Sequence, residues 1–387
     1  MNKNKSEKIL IIHTHYREKG GEDIAVDEEV KFLSKFCNVD TLFFSNKFNK
    51  KIIQSLFLIL NYNYFSVKKL NNKINTYKPD ICYVHNTWFE GSTAIIRFLH
   101  KKGIKTIIKV HNSRLICCNS YLVKSHIDKG QFCNGCGQQR TNYQLFNKTF
   151  RDSYLKSFLV VRHIKKLLSY LILYETTVLA LGEFQKNELS KVGLNPNNIH
   201  IFHNYIKEQT IEKEKNKNDY FVYAGRVSEE KGVEELIEVF LECKFENLKL
   251  YIVGDGPQLN DLKNYYDLTN VYFLGSKNRE DTLKIIRNSK GVLTFTKMYE
   301  GQPTVLCEAS MLSVPSVFPD AGSIPSFFPP NYPYVFEQGN KDDFKKKLID
   351  LNNSENLSHV GLENKDFILG LLEEETLYTQ FKKIVSN

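Results

Sequence analysis

Seven residues separate two glutamates in Tyr299-Glu300-Gly301-Gln302-Pro303-Thr304-Val305-Leu306-Cys307-Glu308-Ala309. The stretch before them reads as a strand and the stretch from Thr304 as a helix, so Glu300 stands in the connecting loop and Glu308 about a turn inside the helix. Two carboxylates so placed accept hydrogen bonds from different hydroxyls of one sugar nucleotide, while unsatisfied backbone N–H groups at the helix start, beside Gly301, meet an anion. Taken alone, the same residues also read as a loop acid and a solvated helix acid.

A second group answers the charge of such a ligand. The run Tyr220 to Ala224 reads as a strand that ends in Gly225-Arg226-Val227-Ser228-Glu229-Glu230-Lys231-Gly232, just before an apolar-periodic helix with Leu236, Ile237 and Phe240. A glycine at the strand end admits close backbone approach, Arg226 offers a planar fork of donors, and Lys231 offers a mobile point charge. Together they suit a diphosphate; an exposed loop with ordinary basic residues is the plainer alternative.

The elements that position these residues are strands alternating with helices. Strand runs are read at Lys8 to His13, Val39 to Ser45, Ile81 to Asn86, Thr106 to Asn112 and Thr177 to Leu181. They recur at Tyr220 to Ala224, Lys249 to Val253, Val271 to Leu274, Gly291 to Thr296 and Ser316 to Phe318. Such alternation predicts an α/β chain of two doubly wound, Rossmann-like domains with parallel sheets. Residues 1–205 form the first, with a cysteine-containing insertion at about 113–150. The linker is 206–219, where Lys207 to Asp219 is nearly devoid of apolar residues, and 220–363 form the second domain. A helical pattern over 364–387 carries Phe367, Leu371, Leu377 and Phe381 and is expected to cross back to the first domain. Ligands bind beyond the carboxyl ends of open parallel sheets, so the expected site is a cleft faced by both domains.

The series Arg226 to Gly232, Gly254-Asp255-Gly256-Pro257, Phe273-Leu274-Gly275 and Glu300 to Glu308 resembles family 4 of the retaining glycosyltransferases, in order and in spacing. The resemblance implies a GT-B fold, a nucleoside-diphosphate sugar as donor, and no cofactor or metal ion for catalysis. It implies that Arg226 and Lys231 bind the diphosphate, that Glu308 holds the ribose hydroxyls, and that Glu300 contacts the sugar near its reacting face. Gly254 and Gly301 then lie on the donor, and the backbone around Gly275 and Ser276 lies against the nucleobase. A nicotinamide cofactor is the competing reading of the Gly254 turn. The third glycine of that fingerprint is missing and Pro257 stands in its way.

In the first domain, His13-Thr14-His15-Tyr16 closes the first strand and Gly20-Gly21-Glu22-Asp23 opens a helix. Paired glycines let N–H groups close on an anion, and the resemblance places Gly20 and Gly21 near the donor phosphates and acceptor. It also gives His111 the contact to the donor sugar, and His85 is a second candidate. Asn204 resembles the asparagine with which the family enters its second domain. Gly182-Glu183-Phe184 departs from the pattern, because many relatives show a serine before the aromatic residue.

The stretch from Arg114 through Cys118 to Cys133-Asn134-Gly135-Cys136 resembles an insertion of family members from capsule and O-antigen gene clusters. Cys133 and Cys136 have the spacing of a zinc knuckle, which Cys117 or Cys118 with His126 would complete as a structural zinc site. Free thiols in a loop, or a redox-labile pair, fit the same cysteines.

The 387 residues carry 53 Lys plus Arg against 44 Asp plus Glu, a net charge of +9 that favours an anionic partner. The basic residues are dispersed and no nucleic-acid-binding module is found, which argues against nucleic acid as the partner and leaves a non-enzymatic nucleic-acid-binding protein as the remoter alternative. No apolar run approaches the ~20 residues that span a bilayer, and the N-terminus is polar, so a cytoplasmic protein is expected. Over Leu155 to Tyr174, Arg162, Lys165, Lys166 and Ser169 share one helical face, and Val161, Ile164, Leu168, Leu171 and Ile172 another. A basic amphipathic helix of this kind lies on an anionic membrane surface, here the cytoplasmic face of the inner membrane, within reach of a lipid-linked oligosaccharide acceptor. A domain helix with a solvated basic face is the other reading. The reaction expected is transfer of a sugar in bacterial surface polysaccharide synthesis; a sugar-nucleotide epimerase or hydrolase on the same scaffold is the rival.

Overall fold

The structure, a computed structural model, describes residues 7–16, 20–46, 57, 59–117, 153–212, 214, 219–266 and 270–386. It divides into two compact units, Met1–Tyr205 with Glu374–Asn387, and Ile206–Glu373.

The first unit holds β1 (Lys8–His15), α1 (Gly21–Leu33), β2 (Asn38–Ser45), α2 (Tyr64–Tyr77), β3 (Ile81–Val84), α3 (Ala94–Lys101), β4 (Lys105–Lys109), α4 (Tyr154–Leu173), β5 (Thr177–Ala180), α5 (Glu183–Lys191) and β6 (Ile199–Ile201). The strands form one parallel sheet in the order β2-β1-β3-β4-β5-β6. Ile9 to Ile12 of β1 are all fully buried, as expected of a strand covered by helices on both faces. The strand order reverses between β1 and β3, so the carboxyl ends of these two strands flank the crevice where such sheets take ligands.

The second unit holds β7 (Tyr220–Ala224), α6 (Val233–Glu242), β8 (Lys249–Val253), α7 (Leu259–Tyr265), β9 (Val271–Gly275), α8 (Arg279–Arg287), β10 (Gly291–Leu293), α9 (Thr304–Met311), β11 (Ser316–Pro319), β12 (Val335–Phe336), α10 (Lys341–Asn353) and α11 (Leu357–Leu372). Its parallel sheet runs β12-β11-β10-β7-β8-β9, with the reversal between β7 and β10. The crevice is therefore flanked by Gly225-Arg226 after β7 and by the loop after β10 that leads to Glu300.

Several boundaries differ from the sequence reading. Strand β10 stops at Leu293 and β4 at Lys109, and the short strands β6 and β12 add a sixth strand to each sheet. The helical pattern at the C-terminus is divided at Glu373, whose extended backbone (φ −59°, ψ 137°) ends α11. The following α12 (Glu374–Ser386) sets Leu377, Phe381, Ile384 and Val385 into the core of the first unit with Ile9, Phe32 and Tyr83. The linker is not wholly solvated. Arg287 donates to the Ile211 carbonyl and the Glu214 N–H donates to Asn288. In α4 the apolar face is used inside the unit, where Val161, Ile164 and Leu171 are buried, whereas Ile172 is turned to solvent.

Candidate functional site

Three glycines close the carboxyl ends of adjacent strands in the second unit. The Gly225 N–H donates to the Val253 carbonyl and the Gly254 N–H to the Gly275 carbonyl, each at 2.9 Å. A Cβ on Gly254, at φ +140°, would lie 1.8 Å from the Gly225 carbonyl oxygen, so the loops approach with no room for a side chain. Arg226 is exposed on the rim this makes, and Ser276 lies exposed after β9. Tyr223 fixes the rim from below by donating its hydroxyl to the Arg226 carbonyl at 2.6 Å.

Lys231 lies on a short turn closed by Gly232, whose φ of +64° and contact with the Phe295 carbonyl exclude any Cβ. The turn carries the Lys231 ammonium to Glu300, and Nζ stands 2.5 Å from Oε1. Thr296 donates its hydroxyl to the same oxygen at 3.3 Å. The backbone of Glu300 is pinned as well, since its carbonyl accepts the Ser323 N–H at 2.9 Å. Residues 69 positions apart are thus joined into one polar group beside Arg226 on the rim of the sheet.

Helix α9 follows Gly301-Gln302-Pro303, and its N-cap residue, Pro303, makes no side-chain capping hydrogen bond. Glu308 on this helix is only 11% exposed and is gripped by Arg279, whose Nε and Nη2 stand 2.9 and 2.8 Å from Oε1. Arg279 was not singled out in the sequence. It opens α8 among Lys277, Asn278, Glu280 and Asp281, a run that reads as a solvated helix start. The guanidinium fixes the direction of the Glu308 carboxylate, the condition for a carboxylate to read two adjacent hydroxyls.

In the first unit, Asp23 at the start of α1 accepts from His13 at 2.8 Å, His15 at 3.0 Å and the Gly20 N–H at 2.9 Å. Burial pushes the Asp23 carboxyl up, but these bonds outweigh it and hold it below its ordinary value. Among the described residues, His13, His15 and Asp23 are the group whose donor atoms lie close enough to share a metal ion, all within 4.8 Å. Of the cysteines proposed for zinc, Cys117 is buried after β4, and Cys118, Cys133 and Cys136, with His126, lie outside the described residues. A Cβ on Gly21 would meet nothing within 4 Å, so packing inside the protein does not require glycine there.

His85 and His111, at the ends of β3 and β4, meet at 2.8 Å between Nδ1 and Nε2. Burial holds both well below the usual imidazole range, and each is pushed further down by the Lys109 charge. Two neutral rings so joined have coupled tautomers, because one must donate and the other accept. Nε2 of His85 is buried without a hydrogen-bond partner among the described residues.

Beside this pair opens a small recess of about 70 Å³, lined among others by Glu22, Trp88, Asn112 and Arg114. Tyr16 donates to Glu22 at 2.8 Å and Asn112 does so at 3.3 Å, while Arg114 donates to Tyr16 at 3.1 Å. The Arg114 guanidinium lies 5.5 Å from the Tyr16 ring and 5.3 Å from the Trp88 ring. Burial pushes the Glu22 carboxyl up. A carboxylate, a guanidinium, an amide and an indole around one recess supply donors and acceptors for hydroxyls and an aromatic face for C–H groups. Sequence reasoning named Gly20 and Gly21, which do not line this recess, and gave no role to Tyr16, Glu22, Trp88 or Arg114, of which Trp88 and Arg114 are distant in the chain from the other two. The signal was Glu22 itself, directly after the glycine pair. Asn204 is buried close after β6.

Residues 205–365 match the model of the glycosyl transferases group 1. An uncharacterized glycosyltransferase of Methanocaldococcus jannaschii is 34% identical over 111 residues, 27% of this chain and 27% of its own length. The capsular polysaccharide biosynthesis glycosyltransferase CapM of Staphylococcus aureus is 29% identical over 223 residues, 54% of this chain. The chain spans only 56% of CapM's length. Anabaena HepE in complex with UDP superposes with a TM-score of 0.69 at 13% identity, covering 98% of this chain and 99% of that one. Sucrose-phosphate synthase from Thermosynechococcus elongatus does so with 0.70 at 12% identity, covering 98% of each. The fold is that of the GT-B glycosyltransferases, two Rossmann-like units with parallel sheets.

Proposed function

We propose that the protein is a retaining glycosyltransferase of family 4 that moves a sugar from a nucleoside-diphosphate sugar to a lipid-linked oligosaccharide in bacterial surface polysaccharide synthesis, without a catalytic metal. The meeting of Lys231 with Glu300 on the rim of the second sheet, beside Arg226 and the start of α9, carries this reading. Supporting it, HepE was solved with UDP and with UDP-glucose, and CapM is described as a capsular polysaccharide enzyme.

In this reading the acceptor hydroxyl attacks the anomeric carbon on the face the diphosphate leaves. The bond from that carbon to the phosphate oxygen breaks, the bond to the acceptor oxygen forms, and the acceptor proton passes to the departing phosphate. Arg226, Lys231 and the first N–H groups of α9 stabilise the charge that develops on the diphosphate. Glu300, held by Lys231 and Thr296, orients the sugar, and Glu308, held by Arg279, takes the ribose hydroxyls. His111 contacts the donor sugar, with its tautomer tied to that of His85. The backbone around Gly275 and Ser276 lies against the base, Gly254 and Gly301 lie on the donor, and Gly20 and Gly21 leave backbone open to phosphate.

Thermal denaturation with UDP, GDP, ADP and CMP, without added metal, tests the donor assignment. One nucleoside diphosphate is expected to stabilise the protein by ~2.7 kcal/mol at ~100 times its dissociation constant. Absence of stabilisation by all of them contradicts the diphosphate site.

A further inference from the structure

We propose that the first unit docks on an anionic lipid bilayer through one apolar surface, made by residues 59–65 and the outer stripe of α4. The proposal rests on the reading of the chain as a transferase acting on a lipid-carried acceptor, and names the surface that reaches the lipid.

Leu60, Phe65 and Leu155 are 64%, 62% and 65% exposed, and Tyr62, Tyr64 and Phe158 are exposed with them. They form one surface because the two segments are tied together. Arg162 on α4 donates to the Ile59 carbonyl, and the His163 ring meets Asn61 at 3.0 Å. Leu155 and Phe158 precede Arg162 by seven and four residues, which sets all three on one stripe of the helix. The Tyr64 and Phe65 rings meet edge-on, 5.9 Å between centroids. Single exposed apolar residues are ordinary, but exposed apolar side chains gathered on one surface mark a face that leaves water.

Charge selects the occupant. Residues 59–79 contain no Asp or Glu and four lysines, and residues 153–174 contain no Asp or Glu and four Lys or Arg. The chain as a whole has 44 acids, so these two stretches are set apart from it. Lys68 lies one turn after Tyr64 and Phe65, and Arg162 one turn after Phe158, all exposed. Aromatic and aliphatic side chains with cations one turn away match the layering of an anionic interface, acyl chains beneath and phosphates above. The apolar face of α4 itself takes no part, because it is buried in the unit.

Co-sedimentation of the full chain with phosphatidylcholine vesicles, with and without phosphatidylglycerol, tests the proposal. The wild type is expected to sediment with the anionic vesicles and to be released by salt. The variant Leu60→Glu, Phe65→Glu, Leu155→Glu is expected to lose binding at least about tenfold, and Phe65→Ser alone several-fold. Both variants are expected to melt like the wild type and to be stabilised by the same nucleotide, which separates failure at the membrane from failure of the donor site. A wild type that stays in the supernatant at low salt, or a triple variant that sediments like it, overturns the proposal. So does a wild type that self-associates without vesicles while the triple variant is monomeric, which makes the surface a contact between copies.

Discussion

Lys231→Ala is expected to lower the rate of sugar transfer by about 100- to 1000-fold, the size of effect seen when one preorganised charge is removed from a developing anion. Two losses add in this variant. The departing diphosphate loses a cation, and the Glu300 carboxylate loses the partner 2.5 Å away that sets its direction. The geometry around the residue survives, because the turn is closed by Gly232 and the strand end by Gly225, not by the lysine side chain. Lys231 and Glu300 are 28% and 23% exposed, so water still reaches the carboxylate and the removal is expected to cost about 1 kcal/mol. Lys231→Arg is expected to restore little, since a planar fork does not replace a compact ammonium at that distance. Initial rates with a melting curve on the same sample check this. A drop of less than about tenfold in the alanine variant would remove Lys231 from the mechanism.

The second large effect is on stability. Lys109 and Glu29 are fully buried and paired at 2.8 Å, with Tyr83 donating to the other Glu29 oxygen at 2.6 Å. Lys109 also donates to the His203 carbonyl and lies 4.5 Å from the centre of the Phe202 ring, so it ties α1, β4 and the end of β6 together. Lys109→Met strands a carboxylate in the core and is expected to cost about 3–5 kcal/mol, lowering the melting temperature on the order of 10 °C. Glu29→Gln added to it removes the stranded charge and is expected to recover more than half of the loss. Equal melting of the single and double variants would contradict the pairing as the source of the cost.

These two lysines also show what could be read in the sequence. Lys231 was legible because it stands in a strand-to-helix loop with Arg226, at a spacing that suits phosphate. Lys109 sits inside a strand of isoleucines, where nothing local signals a partner 80 residues away. The starts of the strands were legible for the same reason as the first unit's core, since runs such as Ile9 to Ile12 are buried on both faces and read as continuous apolar stretches. Strand ends were less so. The run from Gly291 to Thr296 is rich in apolar and β-branched residues, but only Val292 and Leu293 pair with β11, and Thr296 turns to Glu300. Strands of two or three residues, β6 and β12, are too short to show a period.

The polar clusters divide in the same way. Glu300 and Glu308 were visible as a pair on one loop and helix, whereas the residues that hold them, Thr296 and Arg279, come from a strand end and from a helix that reads as solvated. In the first unit, Gly20 and Gly21 stood out in the sequence as a pair of glycines before a helix. The group around Glu22 is assembled from Tyr16, Trp88, Asn112 and Arg114, and only the folded sheet brings these together. At the C-terminus one helical pattern was read across Glu373-Glu374-Glu375, whereas α11 and α12 divide there to pack against two different cores.

The proposed reaction is acceptor-dependent transfer with retention. Its most direct test is NMR of the product formed from the nucleoside-diphosphate sugar whose nucleotide stabilises the protein, with lipid-linked acceptor present or omitted. The account predicts nucleotide release only when the acceptor is present, and a new linkage with the anomeric configuration of the donor. Release of free sugar or isomerisation of the donor without acceptor, or a product of inverted configuration, would contradict it.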